Sequence, residues 1–156
     1  DGGYWLRPPG PNAEVVIAYQ GVVAPEAISA ALHVAQGRRD VGVLAVTSAD
    51  RLNAGWQAAQ RARMRGERAQ SHVESLLDGL PRHCLVVTVI DGHPATLSWL
   101  GAVHGHRVAA LGVEHFGQTG TVADLYRHFG IDRDAIVAAA GALAPGRPLP
   151  LEKGIA

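Results

Sequence analysis

The sequence predicts an α/β fold in which a mostly parallel sheet carries helices on both faces. Three observations lead there. Four apolar runs, at 14–19, 41–46, 84–90 and 106–113, alternate with stretches of helical period. Two of them, VGVLAV and CLVVTVI, are apolar at nearly every position, the pattern of strands covered on both sides. Between the runs stand helix signals, Ser, Thr or Asp ahead of an apolar stripe or proline in the first turn.

The chain of 156 residues fits one domain with a real core. With 47% hydrophobic and 18% charged residues, the composition is that of a globular domain rather than a disordered chain. Fourteen Lys and Arg balance fourteen Asp and Glu for a formal charge of +0, which supplies no field for nucleic acid or an anionic membrane. Neither is an expected partner. Cys84 is the only cysteine and opens an apolar run, so it reads as a buried reduced thiol in a cytoplasmic protein. The start, DGGYWLRPPGPN, has no signal-peptide pattern, and no run reaches the ~18 apolar residues of a membrane helix. The first residue is not Met, and the chain reads as cut from something longer.

Residues 1–13, with Pro8, Pro9 and Pro11, read as a lead-in linker, residues 14–144 as the domain and residues 145–156 as a surface tail. After the first strand, Pro25 opens a helix whose inner face is expected to carry Ile28, Ala31, Leu32 and Ala35, ending at Gly37. After the second strand, Thr47 to Asp50 cap a helix containing Leu52, Trp56 and Ala59, basic in its second half. Ser71 and Glu74 form a capping box for a short helix with Val73, Leu76, Leu77 and Leu80. The third strand, 84–90, is placed centrally, and Pro94 then starts a helix holding Leu97 and Leu100. After the fourth strand, Thr121 and Asp124 form a second capping-box pattern for a helix with Val122, Leu125, Tyr126 and Phe129 on one face. Gly130 stops that helix, Ile131 folds back onto it, and Asp132 caps a last helix through Ile136, Val137, Ala140 and Leu143.

Four features invite functional readings. Gly117, Gln118, Thr119 and Gly120 lead into the helix start at Thr121, where amides and the helix dipole favour an anion, although a tight strand-to-helix turn is the plainer reading. Asp91, Gly92 and His93 follow a strand at the carboxyl edge, where open α/β sheets bind ligands. No sequence-adjacent group orients His93 for catalysis, so a capping or interface role is preferred. His104, His106 and His115 match no common zinc spacing, and no metal site is expected. Arg61, Arg63, Arg65 and Arg68 lack interleaved aromatics and read as a solvated helix face or a salt-bridged interface.

The segment GVEHFGQTGTVADLYRHFGIDRDAI resembles the end of the transketolase C-terminal domain, in particular the version found in homodimeric pyruvate dehydrogenases. EVVIAYQG, VLAVTSADRLNAGW and VVTVIDGHPATLSWLGAVHG agree with it, so the resemblance runs across nearly the whole chain. It implies a three-layer sandwich around a five-stranded mixed sheet with one antiparallel edge strand. It also implies an enzyme that decarboxylates pyruvate on thiamine diphosphate with Mg²⁺ and passes the acetyl unit to a lipoyl carrier of the acetyltransferase core, as a homodimer.

The family's metal and diphosphate motif, GDG, is missing here, as is a glutamate in the context that activates the cofactor. The resemblance therefore implies the third domain alone, packing against sister domains and a second subunit, with the cofactor held elsewhere and no catalytic residue in this chain. His93, Glu114, His115, Gly117, Gln118, Thr119, Gly120 and Thr121 are the candidates for an anion or interdomain contact. Two alternatives stand beside this: the same domain of a transketolase acting on sugar phosphates, and a free-standing α/β anion-binding or interaction module.

Overall fold

The computed structural model describes residues 1–37 and 40–143. The proposed tail, 145–156, lies outside them. Five strands, β1 (Gly3–Arg7), β2 (Val15–Gln20), β3 (Val41–Val46), β4 (Leu85–Ile90) and β5 (Arg107–Leu111), form one sheet in the order β1-β3-β2-β4-β5. β2, β3, β4 and β5 run parallel, and β1 lies antiparallel on β3, pairing Gly3 with Val46 and Trp5 with Leu44. The four parallel strands are those read from the apolar runs, each within one or two residues at its ends.

Residues 1–13 are thus not simply a linker, because Gly3–Arg7 supply the antiparallel edge strand. The prolines mislead: they follow the strand and end it, which an edge strand tolerates. Trp5 anchors β1, its indole N–H donating to the Leu76 carbonyl at 3.0 Å. The middle position belongs to β2 rather than β4, although β4 is paired on both sides.

Helices cover both faces. The side-chain alternation of β2 divides two cores: Val15 and Ile17 join α1 (Ala24–Gly37) and α7 (Arg133–Leu143), while Val16 and Ala18 face the other layer. That second layer holds α2 (Ala49–Met64), α3 (His72–Leu77), α4 (Ala95–Ser98) and α5 (Leu100–His104). The single helix expected around Leu97 and Leu100 is therefore two short ones. Leu85, Val87 and Val89 point to the α1 layer, Val86 and Ile90 to the α2 layer, so β4 is apolar on both faces as its sequence requires.

The inner face of α1 differs from the expected one. Ala27, Ala30, Ala31 and Val34 are buried, whereas Ile28 and Leu32 face solvent. Both stripes have helical period, and the narrow space shared by α1, the sheet and α7 admits the smaller side chains.

The helix termini follow their signals more closely. Ser48 accepts from the Arg51 amide at 3.3 Å and Asp132 from the Ala135 amide at 3.0 Å. At α3 the capping box is complete: Ser71 accepts from the Glu74 amide, and Glu74 accepts from the Ser71 amide at 2.7 Å. At α6 (Val122–Phe129) only half of it forms. Thr121 accepts from the Asp124 amide at 3.2 Å, but Asp124 accepts from the Thr121 hydroxyl, its side chain being one methylene shorter than glutamate. Gly130 takes a left-handed φ of 65°, its amide bonding to the Arg127 carbonyl at 3.2 Å and that of Ile131 to Tyr126 at 2.9 Å. Ile131 is buried in consequence.

Candidate functional site at the carboxyl edge of the sheet

The chain moves from β2 to β3 on one side, then crosses through α2 and α3 to β4 on the other. The loops after β2 and β4 therefore diverge at a topological switch point, where open parallel sheets form their ligand crevice. Gln20 pairs with Ile90 at this edge. The Gln20 side-chain oxygen is buried there without a hydrogen-bond partner. Gly21 follows with φ 78°, and nothing lies within 4 Å of where its Cβ would be.

On the β4 side, the Val113 amide donates to the Gly92 carbonyl at 2.7 Å, which sets His93 and Glu114 one residue beyond either end of a single bond. Gly112 makes this approach possible, since a Cβ there would stand 2.5 Å from the Gly92 carbonyl and 2.7 Å from the Pro94 nitrogen. His93 caps its own turn, Nδ1 accepting from the Ala95 amide at 3.2 Å. This bonding suits a structural role and presents no carboxylate that would orient the ring for proton transfer.

Tyr126 of α6 lies near Asp91, the residue that follows β4. Burial raises its pKa, and the nearby Asp91 and Glu26 carboxylates add to the rise, so the phenol stays protonated. Beside it lies a cavity of about 230 Å³ lined by Glu26, Tyr126, Arg127 and Arg133 among others. Its charges are spent internally. Glu26 accepts from the Arg133 amide at 2.6 Å, while the Arg133 guanidinium reaches Asp134 at 3.0 Å and His33 at 2.9 Å.

The stretch from Gly117 to Gly120 is not the tight turn expected. Between Leu111 and Val122 the chain runs as an irregular excursion, and every residue from Glu114 to Thr121 is exposed. His93 and Glu114 each follow a residue of the Val113–Gly92 bond, and His115, Gly117, Gln118, Thr119 and Gly120 lie exposed on this excursion. At its end the N-terminus of α6 is already occupied by the Asp124 carboxylate, which Thr121 holds at 2.7 Å. A second anion there would meet like charge.

The histidines lie at different places in the fold. His104 and His106 precede β5 and His115 follows it, so the strand's length, about 16 Å, lies between them. His104 bonds the Glu74 carbonyl at 3.0 Å. His106 is buried, neither ring nitrogen making a hydrogen bond of standard geometry, with the carbonyls of Leu80 and Pro81 facing the ring. Among the described residues no three His, Cys, Asp or Glu converge to hold a metal ion. Arg63 and Arg65 are ion-paired, with Glu74 and Glu67, each at 2.7 Å. No helix of the described residues is long and apolar enough to cross a membrane.

Gln20, Glu26 and Tyr126 were not singled out from the sequence. The pairing of β2 with β4 sets Gln20 against Ile90, and the packing of α6 brings Tyr126 near Asp91 and Glu26.

Comparison with known proteins agrees with this architecture. The family model described as the transketolase-like C-terminal domain matches residues 2–132. The transketolase of Leishmania mexicana superposes with a TM-score of 0.62 at 22% identity, covering 97% of this chain and 20% of its own. That of Campylobacter jejuni gives 0.59 at 18%, covering 87% and 18%. A split-gene transketolase, described as an inactive β4 tetramer, gives 0.59 at 18%, covering 90% and 41%. At such identities the likeness concerns the fold. This chain spans about a fifth of the first two and less than half of the third. No match was found among curated proteins. The five-stranded mixed sheet, its antiparallel edge and a family match over most of the chain agree: the chain belongs to the transketolase-like C-terminal domain family.

Proposed function

We propose that this chain is the packing domain of a thiamine-diphosphate-dependent enzyme of transketolase type, and that it carries no catalytic site of its own. The observation that supports this is the family match over residues 2–132, in a chain that spans about a fifth of the matched transketolases. The residues present do not fit the cofactor. A diphosphate at α6 would face Asp124, and among the described residues no ligand set for Mg²⁺ converges. Cofactor and metal belong, on this reading, to sister domains.

For the reaction, the segment Gly112–Gly130, with GVEHFGQTG leading into DLYRHFG, favours pyruvate oxidation with transfer of the acetyl unit to a lipoyl carrier, by a cytoplasmic homodimer bound to an acetyltransferase core. Sugar-phosphate transfer is the second reading, favoured by the solved structures matched, which are transketolases. The complete native polypeptide, supplied with thiamine diphosphate and Mg²⁺, decides between them. Acetylation of a lipoyl domain from pyruvate is expected, and two-carbon transfer between sugar phosphates without it would install the second reading. The 156-residue chain alone is expected to turn over neither substrate, and turnover of pyruvate by it would sink the assignment of chemistry to sister domains.

A further inference from the structure

We propose that His106 is a proton-operated latch: charging its ring releases the corner between α5 and β5 while the rest of the domain stays folded.

The chain stops two helices with the same device. At α6, Gly130 turns left-handed with φ 65°, and the next residue, Ile131, donates its amide to the Tyr126 carbonyl at 2.9 Å and buries its side chain. At α5, Gly105 turns left-handed with φ 76°, and the next residue, His106, donates its amide to the Gly101 carbonyl at 2.9 Å. Both amides reach five residues back. In such a stop the residue after the glycine ordinarily sets an apolar side chain against the helix just ended. Ile131 meets that demand at any pH. A histidine meets it only as the neutral ring.

The surroundings hold His106 to that neutral state. It is 7% exposed, and neither ring nitrogen makes a hydrogen bond of standard geometry. The carbonyls of Leu80 and Pro81, in the turn before β4, face the ring, but burial outweighs them and lowers its pKa. The charged groups that act on the ring, Arg82 of that turn and protonated His104 of α5, are of its own sign and lower it further. The other titratable groups of the region are engaged or solvated. The His104 ring bonds the Glu74 carbonyl of α3, the Glu74 carboxylate bonds Arg63 and Ser71, and Asp78, His83 and Arg107 are exposed.

The position of the latch makes the release local. β5 is an edge strand bonded to the sheet through β4 alone, and its first pair, Arg107 with Leu85, directly follows His106. α5 seats closely on it, since a Cβ on Gly101 would strike the Val108 side chain and the His106 carbonyl. A charged ring that must reach water therefore parts α5 from the start of β5 at the margin of the sheet, whereas β2, β3 and β4 are each paired on both sides. In the opened corner the ring takes up its proton near the ordinary value of about 6.5, and in the closed corner only at lower pH. Between the two, the opened population grows up to about tenfold per pH unit.

Hydrogen exchange read by mass spectrometry on the complete native polypeptide, at pH 7.5 and 5.5 and corrected for intrinsic rates, tests this. Protection of peptides covering 100–111 is expected to fall several-fold, up to about tenfold, at the lower pH, while the Ile131 corner, 126–136, changes less than twofold. His106→Ile, which rebuilds the first corner on the pattern of the second, should abolish the difference. An equal loss at both corners, no loss at 100–111, or a loss that persists in His106→Ile would overturn the proposal. Should the variant not fold, the two corners of the unsubstituted protein decide it alone.

Discussion

The Glu26 carboxylate, in the first turn of α1, accepts a hydrogen bond at 2.6 Å from the backbone amide of Arg133, 107 residues later at the start of α7. A side chain of one helix thus caps another, and the two helices form the outer layer over β2 and β4. Replacing Glu26 by Ala is expected to leave that amide unsatisfied and cost about 1–2 kcal/mol, as loss of an N-cap does. Urea unfolding followed by circular dichroism would show a lower midpoint with an unchanged slope.

Glycines at 112 and 55 should respond in opposite directions. A Cβ at Gly112 would strike the Gly92 carbonyl and the Pro94 nitrogen, both backbone, so Gly112→Ala should cost about 1–3 kcal/mol. Gly55 sits inside α2 with nothing within 4 Å, and Gly55→Ala should stabilise by about 0.5–1 kcal/mol. Thermal unfolding of the two variants checks the contrast, and a neutral Gly112→Ala would refute the described approach of the loop to Pro94.

Glu74 carries the acid limb of stability. Burial raises its pKa, but hydrogen bonds from Arg63 and Ser71 together with the Arg63 charge outweigh this and hold it below the ordinary carboxylate value. A depressed folded pKa means that the stabilisation is complete above the unfolded value, about 4.3, and is lost as pH falls through the folded one. Glu74→Gln should cost about 1–3 kcal/mol at neutral pH and flatten the loss of stability at low pH. Chemical unfolding measured at a series of pH values from neutral to acid gives both numbers.

His106 acts in a different window. Burial lowers its pKa against the opposing carbonyls of Leu80 and Pro81, and His104 and Arg82 lower it further. The folded ring stays neutral, so nothing is gained or lost above the unfolded pKa of about 6.5, and stability falls as pH drops from there through the folded value. His106→Phe should remove this slope while leaving the Glu74 limb in place. An unchanged slope between neutral pH and pH 5 in the variant would show that the ring is not buried as described.

Much of this molecule was legible because its information is local. The four parallel strands are continuous apolar runs, and the caps at Ser48, Ser71 and Asp132 and the stop at Gly130 are each decided by residues within a few positions. The resemblance supplied a fifth strand without placing it. β1 escaped notice because a short edge strand followed by prolines has no apolar period, and its identity comes from pairing with β3 and from the Trp5 bond to Leu76.

The sequence by itself determined the alternation of strand and helix, the two buried faces of β3 and β4, and the helix termini, since these depend on side-chain period and on backbone conformations open to Ser, Asp and Gly. Only the tertiary structure decided which stripe of α1 turns inward, that Gly117–Gly120 is exposed outside any helix or strand, and that Glu26 and Asp91 lie near Tyr126. Those outcomes depend on strand order and on the space between layers, which arise from contacts between residues far apart in the chain and leave no periodic trace along it.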